Sequence, residues 1–194
     1  MSLLATSLSR NRRCGPLGAV LLALALLAAA CTPERDWREL QWPQGGFSVL
    51  LPGKPRKEAR TVTIGDTAVP LEMLSLQTKG AAYGVGYADF PPGATPEVQA
   101  RRLAAARDQL VGNIAGELKA DKEISVSGHP GREFRAEGKV AGEPFVTSAR
   151  VVAVGDRLYE VAVVARAEQA AAADPDLFLG SFKLIGGTSS AAPR

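Results

Sequence analysis

The chain has 194 residues, with 23 Lys or Arg, 20 Asp or Glu and a formal net charge of +3. Three of the 23 basic residues and none of the acidic ones precede Cys31, so the 164 residues from Cys31 onward hold 20 of each and are neutral. A neutral remainder gives no support to nucleic-acid binding or to general attraction by anionic membranes. Its length suits a single domain with a sizeable core.

Residues 1–30 have the layout of a bacterial export signal. The basic residues Arg10, Arg12 and Arg13 precede a twelve-residue apolar stretch at positions 19–30. Twelve residues of helix rise about 18 Å, which is well short of the roughly 30 Å of a membrane's hydrocarbon core. We therefore predict a signal peptide, and retention as an uncleaved anchor is the alternative.

The end of the leader allows two kinds of cleavage. Three alanines at positions 28–30 suit an ordinary signal peptidase, while residues 27–31 (LAAAC) resemble a lipoprotein lipobox in which the leucine stands one position early. The lipobox would make Cys31 the first mature residue and the site of lipid attachment. Cys14 lies in the leader, so Cys31 is the only cysteine left and no disulfide can form within the mature chain. The alternative is a Cys31 that is unmodified or binds a metal.

After a tether and lead-in at residues 31–42, we predict one domain at residues 43–185. Its first half alternates between apolar and polar residues, as strands do. The predicted strands are 47–51, 62–64, 68–77 and 82–90. The turn after the second is Gly65-Asp66, and Pro70 favours an edge or strand-start position in the third. In the fourth, small residues at 84, 86 and 88 share one face and predict close approach by a helix or by backbone.

The second half begins with one long helix. Thr95 suits its N-cap and Pro96 its first position. The apolar stripe of this helix has helical spacing and comprises Leu103, Ala106, Leu110, Ile114 and Leu118. Four strands are predicted next, at 123–127, 132–137, 145–154 and 158–165, with a type II turn at 129–132 and a tight turn at 154–157. A short helix follows Asp174, and residues 186–194 are a polar tail expected to be disordered.

This order of strands, long helix, strands and short helix predicts the α+β class. Consecutive strands joined by tight turns give an antiparallel β-sheet, and the helices are expected to pack on its faces.

Four segments carry a resemblance to a known family. They are residues 46–55 (GFSVLLPGKP), 128–133 (GHPGRE), 157–161 (RLYEV) and 178–182 (FLGSF). Together they resemble exported bacterial proteins of the PsbP-like group, over roughly residues 37–185. The resemblance implies an antiparallel sheet sandwiched by helices. It also implies protein binding rather than a shared catalytic activity, because the named relatives are the PsbP subunit of photosystem II and a small Ran-binding factor.

No residue pattern predicts catalysis. His129 is the only histidine, which excludes sites built from several histidines. We interpret it as an exposed turn residue and not as a general base, because Ser125 and Ser127 beside it do not form a nucleophile elbow. Residues 84–86 (GVG) lack the third glycine and the following helix of a dinucleotide site. A hydrolase that uses His129 or paired carboxylates is the least favoured hypothesis.

Three further groups of side chains have a structural interpretation that competes with binding. We interpret the acidic pair as helix-capping residues, the tyrosines as core residues and the basic clusters as solvated faces. These groups are Asp174 and Asp176; Tyr83, Tyr87 and Tyr159; and Arg56, Lys57 and Arg60 with Arg101, Arg102 and Arg107.

The sequence therefore predicts a lipid-anchored protein of the bacterial cell envelope, facing the periplasm or the exterior, whose domain binds or assembles with a protein partner. It predicts no enzyme activity, cofactor or metal, and Cys31 is the one residue with an assigned chemical role. The alternative function is an envelope carrier of a small ligand, with a pocket between sheet and helix beside Gly84 and Gly86.

Overall fold

The computed structural model describes residues 36–185. The predicted signal peptide, Cys31, the beginning of the tether and the tail at residues 186–194 lie outside the described residues. Within residues 36–185 no helix is long and apolar enough to cross a membrane.

Ten strands and two α-helices make up the described chain. The strands are β1 (Arg38–Trp42), β2 (Phe47–Leu51), β3 (Arg56–Ile64), β4 (Thr67–Gln77), β5 (Ala81–Asp89), β6 (Glu117–Val126), β7 (His129–Val140), β8 (Glu143–Val154), β9 (Arg157–Arg166) and β10 (Lys183–Leu184). The helices are α1 (Pro96–Gly112) and α2 (Pro175–Ser181), and a 3₁₀ turn spans Ala167–Gln169.

Seven strands form a large antiparallel sheet in the order β3-β4-β5-β9-β8-β7-β6. Three others form a small antiparallel sheet in the order β1-β2-β10. Helix α1 packs on one face of the large sheet, mainly against β7 and β8, while α2 packs against β2 and β9. The predicted α+β class, with an antiparallel sheet and helices on its faces, is confirmed.

Successive side chains of a strand point to opposite faces of the sheet, and apolar side chains on both faces of the large sheet form two cores, one on each face. Beneath α1, a helix-side core includes Leu71, Leu103 and Phe134. On the opposite face, a small-sheet core includes Phe47, Tyr83, Val161 and Phe178.

Residues 38–42, which we expected in the tether and lead-in, form β1 instead. β1 pairs with β2, with Leu40 opposite Val49 and Trp42 opposite Phe47. The ring centroids of Trp42 and Phe47 are 5.4 Å apart in an edge-on arrangement. Burial of Trp42 accounts for the pairing, since this side chain is only 7% exposed.

The long helix begins where predicted but ends earlier. The Thr95 side chain accepts a hydrogen bond from Val98 N at 3.3 Å, and Pro96 is the first helical residue. The helix ends at Gly112, so Ile114 is buried in the following loop and Leu118 lies exposed in β6. The apolar stripe thus runs past the true end of the helix.

The predicted turn at 129–132 is wrong. The β6–β7 turn is formed by Ser127 (φ 51°) and Gly128 (φ 83°), and both residues are left-handed, as a two-residue hairpin turn requires. His129 pairs with Val126 as the first residue of β7, and Pro130 follows it. Proline is tolerated there because strand ends need fewer ladder hydrogen bonds.

The other predicted turns and the position of Pro70 agree with the structure. Gly65 (φ 61°) begins the β3–β4 turn, and Gly155 (φ 57°) begins the β8–β9 turn. Pro70 faces Thr61 near the start of β4, before the pairing of β4 with β5 begins at Leu71.

Candidate functional site

A groove of about 720 Å³ lies at the end of the molecule where three turns meet β10. We call it the end groove. Its walls come from the turn between β1 and β2, the turns of the β6–β7 and β8–β9 hairpins, and the end of the described chain. The lining residues are Pro43, Gln44, Gly46, Ser127, His129, Val154, Arg157, Tyr159, Leu184 and Ile185.

The wall formed by the β1–β2 turn is held by hydrogen bonds from distant parts of the chain. Gly46 N donates to Trp42 O at 2.9 Å, and Ile185 N donates to Gly46 O at 2.8 Å. The Tyr159 hydroxyl donates to Gly45 O at 3.0 Å. Because these bonds already fix the backbone, the wall is formed before any ligand arrives, which reduces the entropy lost on binding.

Arg157 supports the same wall and is fully occupied by contacts within the protein. Its Nε and Nη2 donate to the Asp89 carboxylate at 2.6 and 2.8 Å, and its guanidinium lies 4.1 Å from the ring centroid of Tyr87. The hydrogen bond to Asp89 raises the pKa of Arg157 above its ordinary value. Arg157 therefore remains a cation that braces the groove.

His129 lines the end groove as a half-buried residue of β7. This differs from the predicted exposed turn position. Ser125 pairs with Pro130, one position away from the Val126–His129 pair, so Ser125 and His129 project from opposite faces of the hairpin. Ser127 lies in the turn between them. The three residues are therefore not arranged as a nucleophile with its base.

All three tyrosines belong to the small-sheet core, as predicted, and Tyr159 also lines the end groove. Tyr83 is buried, packs edge-on against Phe178 and donates its hydroxyl to Ala173 O at 2.9 Å. Tyr87 lies under the guanidinium of Arg157, and Tyr159 forms the buried floor of the end groove.

The space proposed for a small-ligand carrier, beside Gly84 and Gly86, is occupied by β4. A Cβ atom at Gly86 would lie 2.4 Å from Glu72 O, and one at Gly84 would lie 3.1 Å from the terminal methyl group of Met73. The close approach predicted from these small residues is thus made by backbone at Gly86 and by a side chain at Gly84. Helix α1 packs chiefly on β8 and β7, which are two and three strands away from β5 in the sheet.

The arginines of α1 join the helix to the sheet and the loops around it. Arg107 Nη1 donates to Asp121 at 2.7 Å, and Arg132 of β7 donates to the same carboxylate at 2.8 and 3.0 Å. Arg102 contacts Asp156 at 3.3 Å and lies 4.2 Å from the ring centroid of Phe90. Arg102 and Arg107 are therefore anchors, which corrects their interpretation as a solvated face; Arg101 stays exposed.

Asp174 precedes α2, as predicted, but does not cap it. The residue is left-handed (φ 47°), and its side chain makes no capping hydrogen bond to the helix. Among residues 36–185, no three His, Cys, Asp or Glu side chains come together closely enough to hold a metal ion.

Glu160 is a buried acid that the sequence interpretation missed. It lies on the helix side of β9 between Gly86 and Val151, and its Oε1 has no hydrogen-bond partner. Burial raises the pKa of Glu160 to about 7, and the positive charge of Arg60 opposes that shift. A single carboxylate in the apolar run at positions 158–165 was the available signal.

No known family and no curated protein matches the sequence. Solved structures resemble it in fold. LpqN of Mycobacterium tuberculosis, which is involved in cell envelope biogenesis, has a TM-score of 0.53 and 8% identity, covering 78% of this chain and 91% of LpqN. At this identity the likeness shows the fold alone.

Two further structures come from the groups named by the sequence resemblance. PsbP of the cyanobacterium Synechocystis has a TM-score of 0.47 and 13% identity, covering 80% of this chain and 96% of PsbP. The Ran-binding protein Mog1p of Saccharomyces cerevisiae has a TM-score of 0.48 and 11% identity, covering 78% of this chain and 96% of Mog1p.

Proposed function

We propose that this chain is a lipid-anchored protein of the bacterial cell envelope whose domain binds a partner protein through the end groove. The anchor part of the proposal is supported by the basic and apolar leader that ends at Cys31. The envelope location is in keeping with LpqN, which has the same fold and is involved in cell envelope biogenesis. The proposal assigns no catalytic role to His129.

The shape of the end groove is the observation that carries the binding part. The groove is open to solvent, has walls braced by hydrogen bonds, and combines half-buried apolar side chains with exposed polar ones. Leu184 and Ile185 on one side continue from β10, an edge strand of the small sheet. An extended segment of a partner could add to such an edge while Val154 contacts its side chains.

Site-specific photo-cross-linking tests this proposal in the native cell. A photoreactive residue at Gln44, an exposed position on the groove wall, should give a covalent adduct with one defined protein. The same residue at Lys139, an exposed position at the far end of β7, is the matched control and should not. Adding Leu184→Arg, which places a charge in the groove, should abolish the Gln44 adduct. Equal adducts from Gln44 and Lys139, or an adduct that survives Leu184→Arg, would remove the groove from the proposal.

A further inference from the structure

A second groove, of about 590 Å³, lies against the edge strand β3 and carries an excess of positive charge. We call it the basic groove. It is defined by Lys54, Arg56, Arg60, Ser75 and Gln77. Its one carboxylate, Glu58, accepts a hydrogen bond from the Ser75 hydroxyl at 2.5 Å.

The cations of the basic groove differ from most others in the described chain because they lack ion-pair partners. Within residues 36–185, eight arginines form ion pairs and three do not. Two of those three, Arg56 and Arg60, line the basic groove, and Lys54 beside them is also without a carboxylate partner in this part of the chain. Buried Glu160 is within electrostatic reach of Arg60 but forms no ion pair with it in the described residues. The neutral domain therefore has a local excess of positive charge that is held in no ion pair, and external anions would neutralise it.

One end of the basic groove, at Lys54, lies near the start of β1, where the chain enters from Cys31. β1 begins at Arg38, and Arg38 lines a shallow concavity that also includes Lys54. Six residues lie between Cys31 and Arg38, and the seven Cα–Cα steps that join them span at most about 25 Å when extended. The β4–β5 turn adds exposed Lys79 next to Gln77. The end groove, in contrast, follows Trp42 at the other end of β1.

We infer that the basic groove docks onto the phosphate headgroups of an anionic phospholipid membrane. The inference rests on the proposed function in one respect, because the tether on Cys31 would hold this end of the domain close to a bilayer. Two guanidinium groups and one ammonium group within a single concavity match the charge of phosphates, and arginine binds phosphate with paired hydrogen bonds. Docking would leave the end groove, which is lined by different residues, accessible to a partner.

Vesicle sedimentation tests the inference separately from the lipid anchor. The chain from Thr32 onward, which contains both cores and lacks the leader and Cys31, is mixed at low ionic strength with vesicles of phosphatidylcholine or of phosphatidylcholine with one-third phosphatidylglycerol. We expect clear binding to the anionic vesicles only. Each cation near an anionic surface raises the partition coefficient of a protein onto the vesicles by about fivefold. The double variant Arg56→Gln with Arg60→Gln should therefore weaken binding by roughly ten- to thirtyfold.

The matched control removes two positive charges from parts of the domain outside the basic groove. Arg101→Gln with Lys183→Gln neutralises two exposed cations, on α1 and β10, that also lack ion-pair partners within residues 36–185. This variant should bind anionic vesicles within about twofold of the wild type, because its charges lie away from the groove. Equal losses in both double variants, or no preference for anionic vesicles, would overturn the inference.

Inorganic phosphate distinguishes a membrane from a soluble phosphate compound. If it shifts the NMR signals of the basic groove while anionic vesicles do not bind, the groove is a site for a free phosphate ligand and membrane docking is overturned. The state of Cys31 in cells is a separate measurement. An unmodified Cys31 together with groove-dependent vesicle binding would overturn the anchor and leave the docking surface intact.

Discussion

Glu160 is the residue whose environment departs furthest from its ordinary surroundings. It is 9% exposed, lies between Gly86 and Val151 in an apolar core, and has a carboxyl oxygen without a hydrogen-bond partner. Because an ionised carboxylate loses its hydration there, the pKa rises from 4.5 to about 7. The folded state therefore binds a proton more tightly than the unfolded chain does. The resulting stability is complete below pH 4.5 and is lost as the pH rises through about 7.

Glu160→Gln removes this titration, so its effect on stability should depend on pH. At pH 8 we expect the free energy of unfolding to exceed that of the wild type by up to about 3 kcal/mol, while at pH 5 the two should be similar. Urea denaturation at both pH values measures the difference. Glu168→Gln, at an exposed position, is the matched control and should show no such dependence. An unchanged pH dependence in Glu160→Gln would contradict the assignment.

The end of α1 depends on a close contact between two backbone segments. β7 passes so near the chain that follows the helix that only a glycine fits at the contact point. A Cβ atom at Gly138 of β7 would lie 2.2 Å from Ile114 O and 2.6 Å from Gly116 Cα. The crossing is fixed by the hydrogen bond from Lys139 N to Ile114 O at 2.7 Å. This contact explains why the chain leaves the helix at Gly112 although the apolar stripe continues to Leu118.

Gly138→Ala should destabilise the fold by about 1–3 kcal/mol, because backbone must shift to admit the methyl group. Gly112→Ala is the matched control. A Cβ atom there meets nothing within 4 Å, so this variant should gain roughly 0.5–1 kcal/mol from its better helix propensity. Chemical denaturation of both variants measures these changes. Two variants of equal stability would contradict the close crossing.

The attachment of α1 to the sheet depends on the carboxylate of Asp121. Asp121 accepts hydrogen bonds from Arg132 and Arg107, and these hold its pKa below the ordinary value despite partial burial. Asp121→Asn should reduce the free energy of unfolding at pH 7 by about 1–3 kcal/mol, since two arginines lose their shared anion.

The loss caused by Asp121→Asn should shrink as the pH falls through the low folded-state pKa, where the wild-type carboxylate is itself protonated. The control is Asp108→Asn, which removes a mostly exposed partner of Arg107 and should change stability by under about 0.5 kcal/mol. Urea titrations at neutral and acidic pH test both variants. A larger loss for Asp108→Asn would contradict the anchoring role of Asp121.

The sequence predicted the elements whose signals are local. Each of these signals depends on residues that are close together in the sequence. They are the alternation of apolar and polar residues in β2, β4, β5, β8 and β9, the N-cap at Thr95, and the turns at Gly65 and Gly155. β1 escaped prediction because its pairing with β2 depends on the burial of Trp42. The end of α1 and the end groove depend on contacts between distant segments, and spacing along the chain does not encode those contacts.

For the whole molecule, the two grooves are lined by different parts of the chain. The basic groove runs along β3 and shares Lys54 with the concavity at the start of β1, whereas the end groove follows Trp42 and has braced walls and a mixed lining. Docking of the basic groove on a membrane and binding of a protein in the end groove would therefore use separate residues. The sequence predicted the neutral charge of the domain and showed the basic cluster at positions 56–60, but the lack of ion pairs at Arg56 and Arg60 and the groove that they share required the three-dimensional arrangement.

The measurement that bears most directly on this account is the intact mass, with N-terminal peptide mapping, of the mature protein purified from its native envelope. We expect a chain that begins at Cys31 and carries a diacylglyceryl group on the Cys31 sulfur. A mature chain with an unmodified Cys31, or one that retains the leader, would contradict the lipid anchor.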